Sequence, residues 1–226
     1  PDKYGDEIAM QATMVALWPN LEVFRPIALL SNFHDGMVSY QLNPNVASSL
    51  FGSVEDALKI YASAEEFLHI RDAYLTGGLP AVAQTGRPNV VFKVAAGYPA
   101  AVDITSALNS MGIGTNNTVT YTVAQETELI IAAMKGMAKA VKRGVRPTQV
   151  YETNMGGRLE SHLRELEAEK YLSEVLNTVE NKDGLLRKLA EGLNALPELE
   201  KKTSREEKVR ALSSYRYLKK LTHPAF

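Results

Sequence analysis

The chain has 226 residues with a formal net charge of −1 at pH 7, and 45% of its residues are hydrophobic. That length supports a sizeable buried core, and the near-neutral charge gives no general attraction to nucleic acid or to anionic membranes. The sequence contains no cysteine, which excludes disulfides, thiolate metal sites and a cysteine nucleophile. No apolar run approaches the ~20 residues that cross a bilayer, and the start shows no signal-peptide pattern, so we expect a cytoplasmic protein.

The first part of the chain predicts two helical segments followed by a strand. Residues 6–18 carry acidic residues in their first turn and predict a helix that ends at Pro19. A second helical piece is predicted at about residues 21–33. Residues 37–42 alternate and are rich in β-forming residues, which indicates a strand.

The middle of the chain alternates between helices and strands. The spacing is helical over residues 53–75, where Gly77-Gly78 predicts the helix end. Further strands and helices are predicted, in turn, at residues 89–94, 98–110, 115–123, 124–144 and 148–153. This order is typical of parallel βαβ units and predicts an α/β sheet or barrel. Residues 159–226 are helix-forming with dense mixed charge, and we expect a solvated helical hairpin there, or else a protein–protein surface.

Lys93 lies inside a run of apolar, β-forming residues, where a charged side chain needs an explanation. One explanation is structural, because a lysine can extend its amine to solvent or pair with a buried acid. The other is chemical, because a desolvated lysine amine can attack a carbonyl and form a Schiff base that accepts electrons during C–C cleavage. Its position in the sequence leaves both explanations open.

Polar residues after Lys93 favour the chemical explanation. Alternation places Asn116 and Thr118 on one face of their strand and Asn117 on the other. A Gly-Gly-Arg sequence that ends at Arg158 follows the last predicted strand. Polar groups at barrel-facing positions and such a loop suit a phosphorylated sugar held beside a nucleophile.

The order and spacing of these residues resemble the transaldolase family over about residues 36–165. The matching positions are Lys93, Gly112-Ile113, Asn116-Asn117-Thr118, Tyr121-Thr122, Gln125, Thr153 and Gly157-Arg158. The segment 36–44 is also similar to the third-strand segment of that family. The resemblance implies a (β/α)8 TIM-type barrel, with about strands 3–6 present in residues 1–158 and with 159–226 as a helical insertion or extension.

The resemblance also implies a role for each matching site residue. Lys93 would form the imine with a ketose phosphate. Asn116 would hydrogen-bond the bound dihydroxyacetone unit, and Thr118 would help to hold a catalytic water. Thr153 stands where the family has a serine that touches the substrate, and Arg158 would bind the substrate phosphate.

The activity implied by the resemblance is transfer of a dihydroxyacetone unit between sedoheptulose 7-phosphate and glyceraldehyde 3-phosphate. It belongs to the pentose phosphate pathway and needs no cofactor or metal. The expected ligand is therefore a phosphorylated sugar, with no nucleic acid and no membrane. The histidines show no metal-ligand spacing, and a homo-oligomer stays open.

Two single positions and one short segment depart from the family pattern. Gln41 stands where transaldolases carry a glutamate that relays protons with the water, and an amide cannot act as a general base. The fructose-6-phosphate aldolase branch carries a glutamine there, so an aldolase of the same fold is one alternative. Met155 and the segment Ala95-Ala96-Gly97 also differ from the family pattern.

The first two and the last two strands of the family barrel have no counterpart that we find in this sequence. The first two carry an essential aspartate and an asparagine, and one of the last two carries a second phosphate-binding arginine. We therefore expect a fragment of a longer transaldolase-like protein that is inactive as it stands, because four strands cannot close an eight-stranded barrel. A second alternative is a non-catalytic protein whose helical tail binds a partner.

Overall fold

A computed structural model describes residues 3–75 and 87–222 of the chain. The fold divides into two compact units, Pro1–Met155 and Gly156–Phe226. The helix end predicted at Gly77-Gly78 lies outside the described residues.

The first unit contains a four-stranded parallel sheet. Its strands are β1 (Val38–Gln41), β2 (Val90–Ala95), β3 (Gly114–Thr120) and β4 (Tyr151–Asn154), in the spatial order β1-β2-β3-β4. All three strand pairs are parallel, and consecutive strands are neighbours. The four predicted strands and their α/β order are confirmed, and the sheet is consistent with part of a TIM-type barrel.

One helix precedes the first strand, and three helices and a 3₁₀ turn connect the four strands. They are α1 (Lys3–Leu30), a 3₁₀ turn (Pro44–Val46), α2 (Leu50–Leu75), α3 (Ala100–Ser110) and α4 (Val123–Lys142). The helices pack on one face of the sheet, where Tyr40 and Phe92 meet helix residues such as Ile60, Ile104 and Leu129 in one core cluster. The opposite face carries Lys93 and is called the open face below.

The helix end predicted at Pro19 is wrong, because α1 continues through both Pro19 and Pro26. A proline inside a helix lacks the backbone N–H and normally kinks or ends it. Here Met14, Leu21 and Ala28 recur at two-turn spacing and are all at most 4% exposed, so one buried face continues past the prolines. Burial of this shared face outweighs the local signal.

A buried ion pair joins α1 to α2. Arg25 is 0% and Asp72 1% exposed, and the Arg25 guanidinium donates from Nε to Asp72 Oδ1 at 2.7 Å and from Nη2 to Oδ2 at 2.5 Å. Nη1 of Arg25 donates to the backbone carbonyl of Arg87 at 2.5 Å, just before β2. Two helices and the amino end of the sheet are therefore held by one guanidinium.

The second unit is entirely helical over its described residues, 156–222. Its helices are α5 (Gly156–Asn177), α6 (Lys182–Gly192), α7 (Leu196–Leu199), α8 (Arg205–Leu212) and α9 (Tyr215–Thr222). They enclose a core of their own, formed by Leu176, Leu186, Ala190, Leu193, Ala195, Leu199, Val209, Leu212 and Tyr217. The predicted helical character is confirmed, but a five-helix cluster with a core replaces the expected solvated hairpin. Within the described part of the chain, no helix is both long and apolar enough to cross a membrane.

Candidate active site

The strand register brings predicted site residues together on the open face. Gln41 pairs with Lys93 across β1 and β2, and Lys93 pairs with Asn116 across β2 and β3. Thr118 pairs with Thr153 one pleat nearer to the carboxyl ends of β3 and β4. Residues paired in a parallel sheet point to the same side, so these five side chains share one face.

The Lys93 side chain is half-buried, and its strand neighbours Phe92 and Val94 point into the core at 0% and 2% exposure. The Lys93 ammonium makes no hydrogen bond or ion pair with any residue that the structure describes. A buried acid therefore does not account for this lysine within those residues. The amine lies among polar side chains and has no protein partner there to displace.

Two hydroxyl groups hold the amide of Asn116. Its Nδ2 donates to Ser39 Oγ at 3.1 Å, and its Oδ1 accepts from Thr153 Oγ1 at 2.6 Å. Ser39 lies on β1 two residues before Gln41 and therefore on the same face. The sequence analysis missed this residue, although the alternation of β1 could have indicated it.

A β-bulge follows Thr118 in β3. Val119 has φ of 64°, and the register with β4 shifts between Thr118 and Thr120. Thr118 precedes the bulge and lies on the open face, where it pairs with Thr153. After the bulge, Thr120 donates from Oγ1 to Asn154 Oδ1 at 3.0 Å. The Thr118 hydroxyl is buried and has no partner among the described residues, which is uncommon and suits a bound water or ligand.

The side-chain amides of Gln41 and Gln125 both donate hydrogen bonds to the backbone at the carboxyl ends of the strands. Nε2 of Gln41 donates to the carbonyls of Leu42 at 3.0 Å and Lys93 at 3.2 Å. Nε2 of Gln125 donates to the Ala96 carbonyl at 2.6 Å and so joins the start of α4 to the end of β2. Neither amide can ionise, so both fix the backbone around Lys93 without supplying a base.

Asn117 belongs to a buried polar group on the helix-covered face. It accepts at Oδ1 from Thr105 Oγ1 at 2.8 Å and donates from Nδ2 to Glu152 Oε1 at 2.7 Å. Burial raises the pKa of Glu152 above its ordinary value, the hydrogen bond from Asn117 lowers it, and nearby Glu126 raises it further. This carboxyl is on the opposite face from Lys93 and is not part of the open face.

Arg158, the sixth predicted site residue, is exposed in the first turn of α5 and belongs to the second unit. Its phosphate-binding role stays a prediction. Among the described residues, no group of three or more histidine and carboxylate side chains is arranged to hold a metal ion.

Comparison with known proteins adds two findings. A family model described as "Transaldolase/Fructose-6-phosphate aldolase" matches residues 6–182, which is more than half of the chain. A transaldolase from Thiobacillus denitrificans is 25% identical over 123 residues, which are 54% of this chain. That alignment covers 28% of the length of the relative.

Proposed function

Because the chain belongs to the transaldolase/fructose-6-phosphate aldolase family, we propose that Lys93 forms a Schiff base with a ketose phosphate. The reaction is transfer of a dihydroxyacetone unit between sedoheptulose 7-phosphate and glyceraldehyde 3-phosphate. One observation carries this proposal: the Lys93 amine has no partner among the described residues and lies between Gln41 and Asn116 on one polar face.

The chemistry needs a neutral amine and no external reagent. The nitrogen lone pair of Lys93 attacks the ketose carbonyl carbon, the oxygen takes up protons, and loss of water leaves a protonated imine. The C–C bond that breaks joins the hydroxylated carbon next to the imine carbon to the carbon after it, and its electron pair moves towards the iminium. The hydroxyl on that second carbon loses its proton and becomes the carbonyl of the leaving aldehyde. An enamine stays on the lysine. The enamine then attacks the acceptor aldehyde, and hydrolysis frees the amine.

The other residues of the open face bind and orient the substrate in this proposal. The Asn116 amide hydrogen-bonds hydroxyls of the dihydroxyacetone unit, and the Thr153 hydroxyl lies 2.6 Å from that amide oxygen. The Thr118 hydroxyl, which has no partner among the residues that the structure describes, holds the water that carries protons. Arg158 belongs to the second unit and not to the open face, and its binding of the substrate phosphate is proposed from the family resemblance alone. This function requires no cofactor and fits a cytoplasmic enzyme of the pentose phosphate pathway.

Gln41 favours a second candidate, an aldolase that releases dihydroxyacetone. Its Nε2 is bound by two backbone carbonyls, and an amide cannot accept and return the proton that a glutamate would relay. In this candidate, hydrolysis of the enamine follows the C–C cleavage directly. Imine formation at Lys93 is common to both candidates.

Borohydride trapping tests the shared step. The chain is incubated with fructose 6-phosphate, reduced with borohydride, and digested for peptide mass spectrometry. We expect the mass of one reduced sugar adduct on the peptide that contains Lys93, and on no other peptide. Lys93→Met should abolish the label, and the control Lys139→Met, on the last turn of α4, should leave it unchanged.

The products separate the candidates. Formation of a new ketose phosphate when an acceptor aldehyde phosphate is added supports the transferase, and release of dihydroxyacetone without acceptor supports the aldolase. Absence of any label on Lys93, both in this chain and in a longer protein that contains it, would refute imine chemistry and favour the non-catalytic alternative with a partner-binding helical tail.

A further inference from the structure

A line of hydrogen bonds crosses the open face from β1 to β4. It runs from Ser39 Oγ to Asn116 Nδ2 at 3.1 Å and from Asn116 Oδ1 to Thr153 Oγ1 at 2.6 Å. β1 and β3 are not neighbours, since β2 lies between them, and in a flat sheet they would be about 9–10 Å apart. Side chains as short as serine and asparagine meet over this span only because the open face is concave.

This line passes beside Lys93. Ser39 pairs with Val91 on β2, whereas Asn116 pairs with Lys93. The contact between Ser39 and Asn116 therefore crosses β2 between the positions of Val91 and Lys93. Val91 is only 2% exposed although it is on the open face, in agreement with side chains closing over it.

The two hydroxyls determine which end of the Asn116 amide faces Lys93. Thr153 donates to Oδ1 on the β4 side, and Ser39 accepts from Nδ2 on the β1 side. The NH₂ group is thereby turned towards β2. It has two N–H donors. Ser39 takes one, and the other has no acceptor among the described residues.

We propose that Ser39 is a positioning residue of the imine site. By accepting a hydrogen bond from Asn116, Ser39 directs the second N–H of that amide at a hydroxyl oxygen of the ketose phosphate bound to Lys93. Ser39 acts through Asn116 and does not itself contact the substrate. This inference rests on the proposed function, because it assumes that the sugar is held at Lys93.

A matched pair of substitutions tests the hydroxyl itself. Ser39→Thr keeps the hydroxyl, and Ser39→Val replaces it by a methyl group in the same β-branched shape, which suits a strand. Borohydride trapping on Lys93 is measured against fructose 6-phosphate concentration. We expect Ser39→Val to raise the half-saturating concentration by roughly two- to tenfold, the effect of one net hydrogen bond, with Ser39→Thr close to the unchanged protein.

A double-mutant cycle identifies the path of the effect. In an Asn116→Ala background, Ser39→Val should change the half-saturating concentration no further, since the amide that Ser39 orients is gone. Ser39 is exposed, so thermal unfolding of the first unit should stay within a few degrees for every Ser39 variant. Ser39→Ala provides a second hydroxyl-free variant if Ser39→Val folds poorly.

The outcomes separate this inference from the proposed function. Trapping in the unchanged protein with equal saturation curves for Ser39→Thr and Ser39→Val would overturn the role of Ser39 and leave the imine intact. An undiminished effect of Ser39→Val in the Asn116→Ala background would overturn it as well. Absence of trapping in the unchanged protein and in a longer protein that contains it would remove the proposed function and this inference together.

Discussion

Substitution of Asp72 by asparagine tests whether the buried ion pair between α1 and α2 stabilises the first unit as its geometry indicates. Arg25 is 0% exposed and makes two hydrogen bonds to the Asp72 carboxylate. Asp72→Asn keeps the shape but leaves the guanidinium buried without a counter-charge. Removing one partner of a buried pair costs about 3–5 kcal/mol, because the remaining charge has lost its compensation.

The double substitution Arg25→Met/Asp72→Leu sharpens this prediction. Replacing a buried pair by apolar residues of similar volume is often neutral or stabilising, since neither charge is then desolvated. The expected losses include the hydrogen bond from Arg25 to the Arg87 carbonyl, about 1 kcal/mol, and the contact of the guanidinium with the Phe33 ring, whose centroid is 5.4 Å away, about 1 kcal/mol. The double variant should therefore be more stable than Asp72→Asn by about 1 kcal/mol or more.

Urea unfolding followed by tryptophan fluorescence provides the assay. Trp18 is the single tryptophan of the chain, and its ring centroid lies 5.4 Å from that of Phe67 on α2. It therefore reports on the same helix pair that Arg25 and Asp72 join. With a urea m-value of about 1–3 kcal/mol/M, the Asp72→Asn midpoint should fall by about 1 M or more.

An exposed ion pair on α2 provides the control. Lys59 and Glu55 are 2.9 Å apart, and their side chains are 51% and 67% exposed. Glu55→Gln should leave the urea midpoint nearly unchanged, because water already solvates both charges. The reasoning would be refuted if Asp72→Asn shifted the midpoint as little as Glu55→Gln, or if the double variant were less stable than Asp72→Asn.

Three further predictions concern other contacts. Burial raises the pKa of Glu152 in the folded state, so its ionisation opposes folding and stability falls as pH rises from the unfolded value near 4.5 through the folded one. Glu152→Gln, which keeps the acceptor for Asn117, should remove that pH dependence from unfolding curves recorded at increasing pH from 4.5 upward. Ser204→Ala breaks the capping box of α8 and should cost the second unit about 1 kcal/mol by circular dichroism. Val119→Gly should leave stability unchanged or raise it by up to about 1 kcal/mol, since glycine relieves the left-handed φ of 64°, whereas the control Val94→Gly in the core should lose at least about 2 kcal/mol.

The strands and the main site residues could be predicted from the sequence because their signals are local. Runs of β-forming residues marked β1 to β4, and the lysine inside such a run pointed to Lys93. Alternation alone placed Asn116 and Thr118 on one side of β3. The family resemblance then supplied roles that no local pattern contains.

Features that depend on distant residues were missed for a physical reason. Arg25 and Asp72 are 47 residues apart, and Ser39 and Asn116 are 77 apart, so neither contact leaves a mark in a short window. Pro19 was misread because a local helix breaker was weighed without the buried face that continues across it. The core of the second unit was missed because α5 has many charges, although Leu176 at its end is buried.

The contrast between the two units has a consequence for the order of folding. The second unit joins helices that follow one another closely, so its contacts form over short loops, which is typical of domains that fold in microseconds to milliseconds. In the first unit Val38 pairs with Val90 and Asn116 pairs with Tyr151, so each parallel pair closes over a long crossover connection that contains a helix. The sheet that carries Lys93 leaves the ribosome first, yet topology makes it the slower unit to fold. Its strand edges therefore stay unpaired for longer, and this is the interval in which chaperones would matter most for the open face.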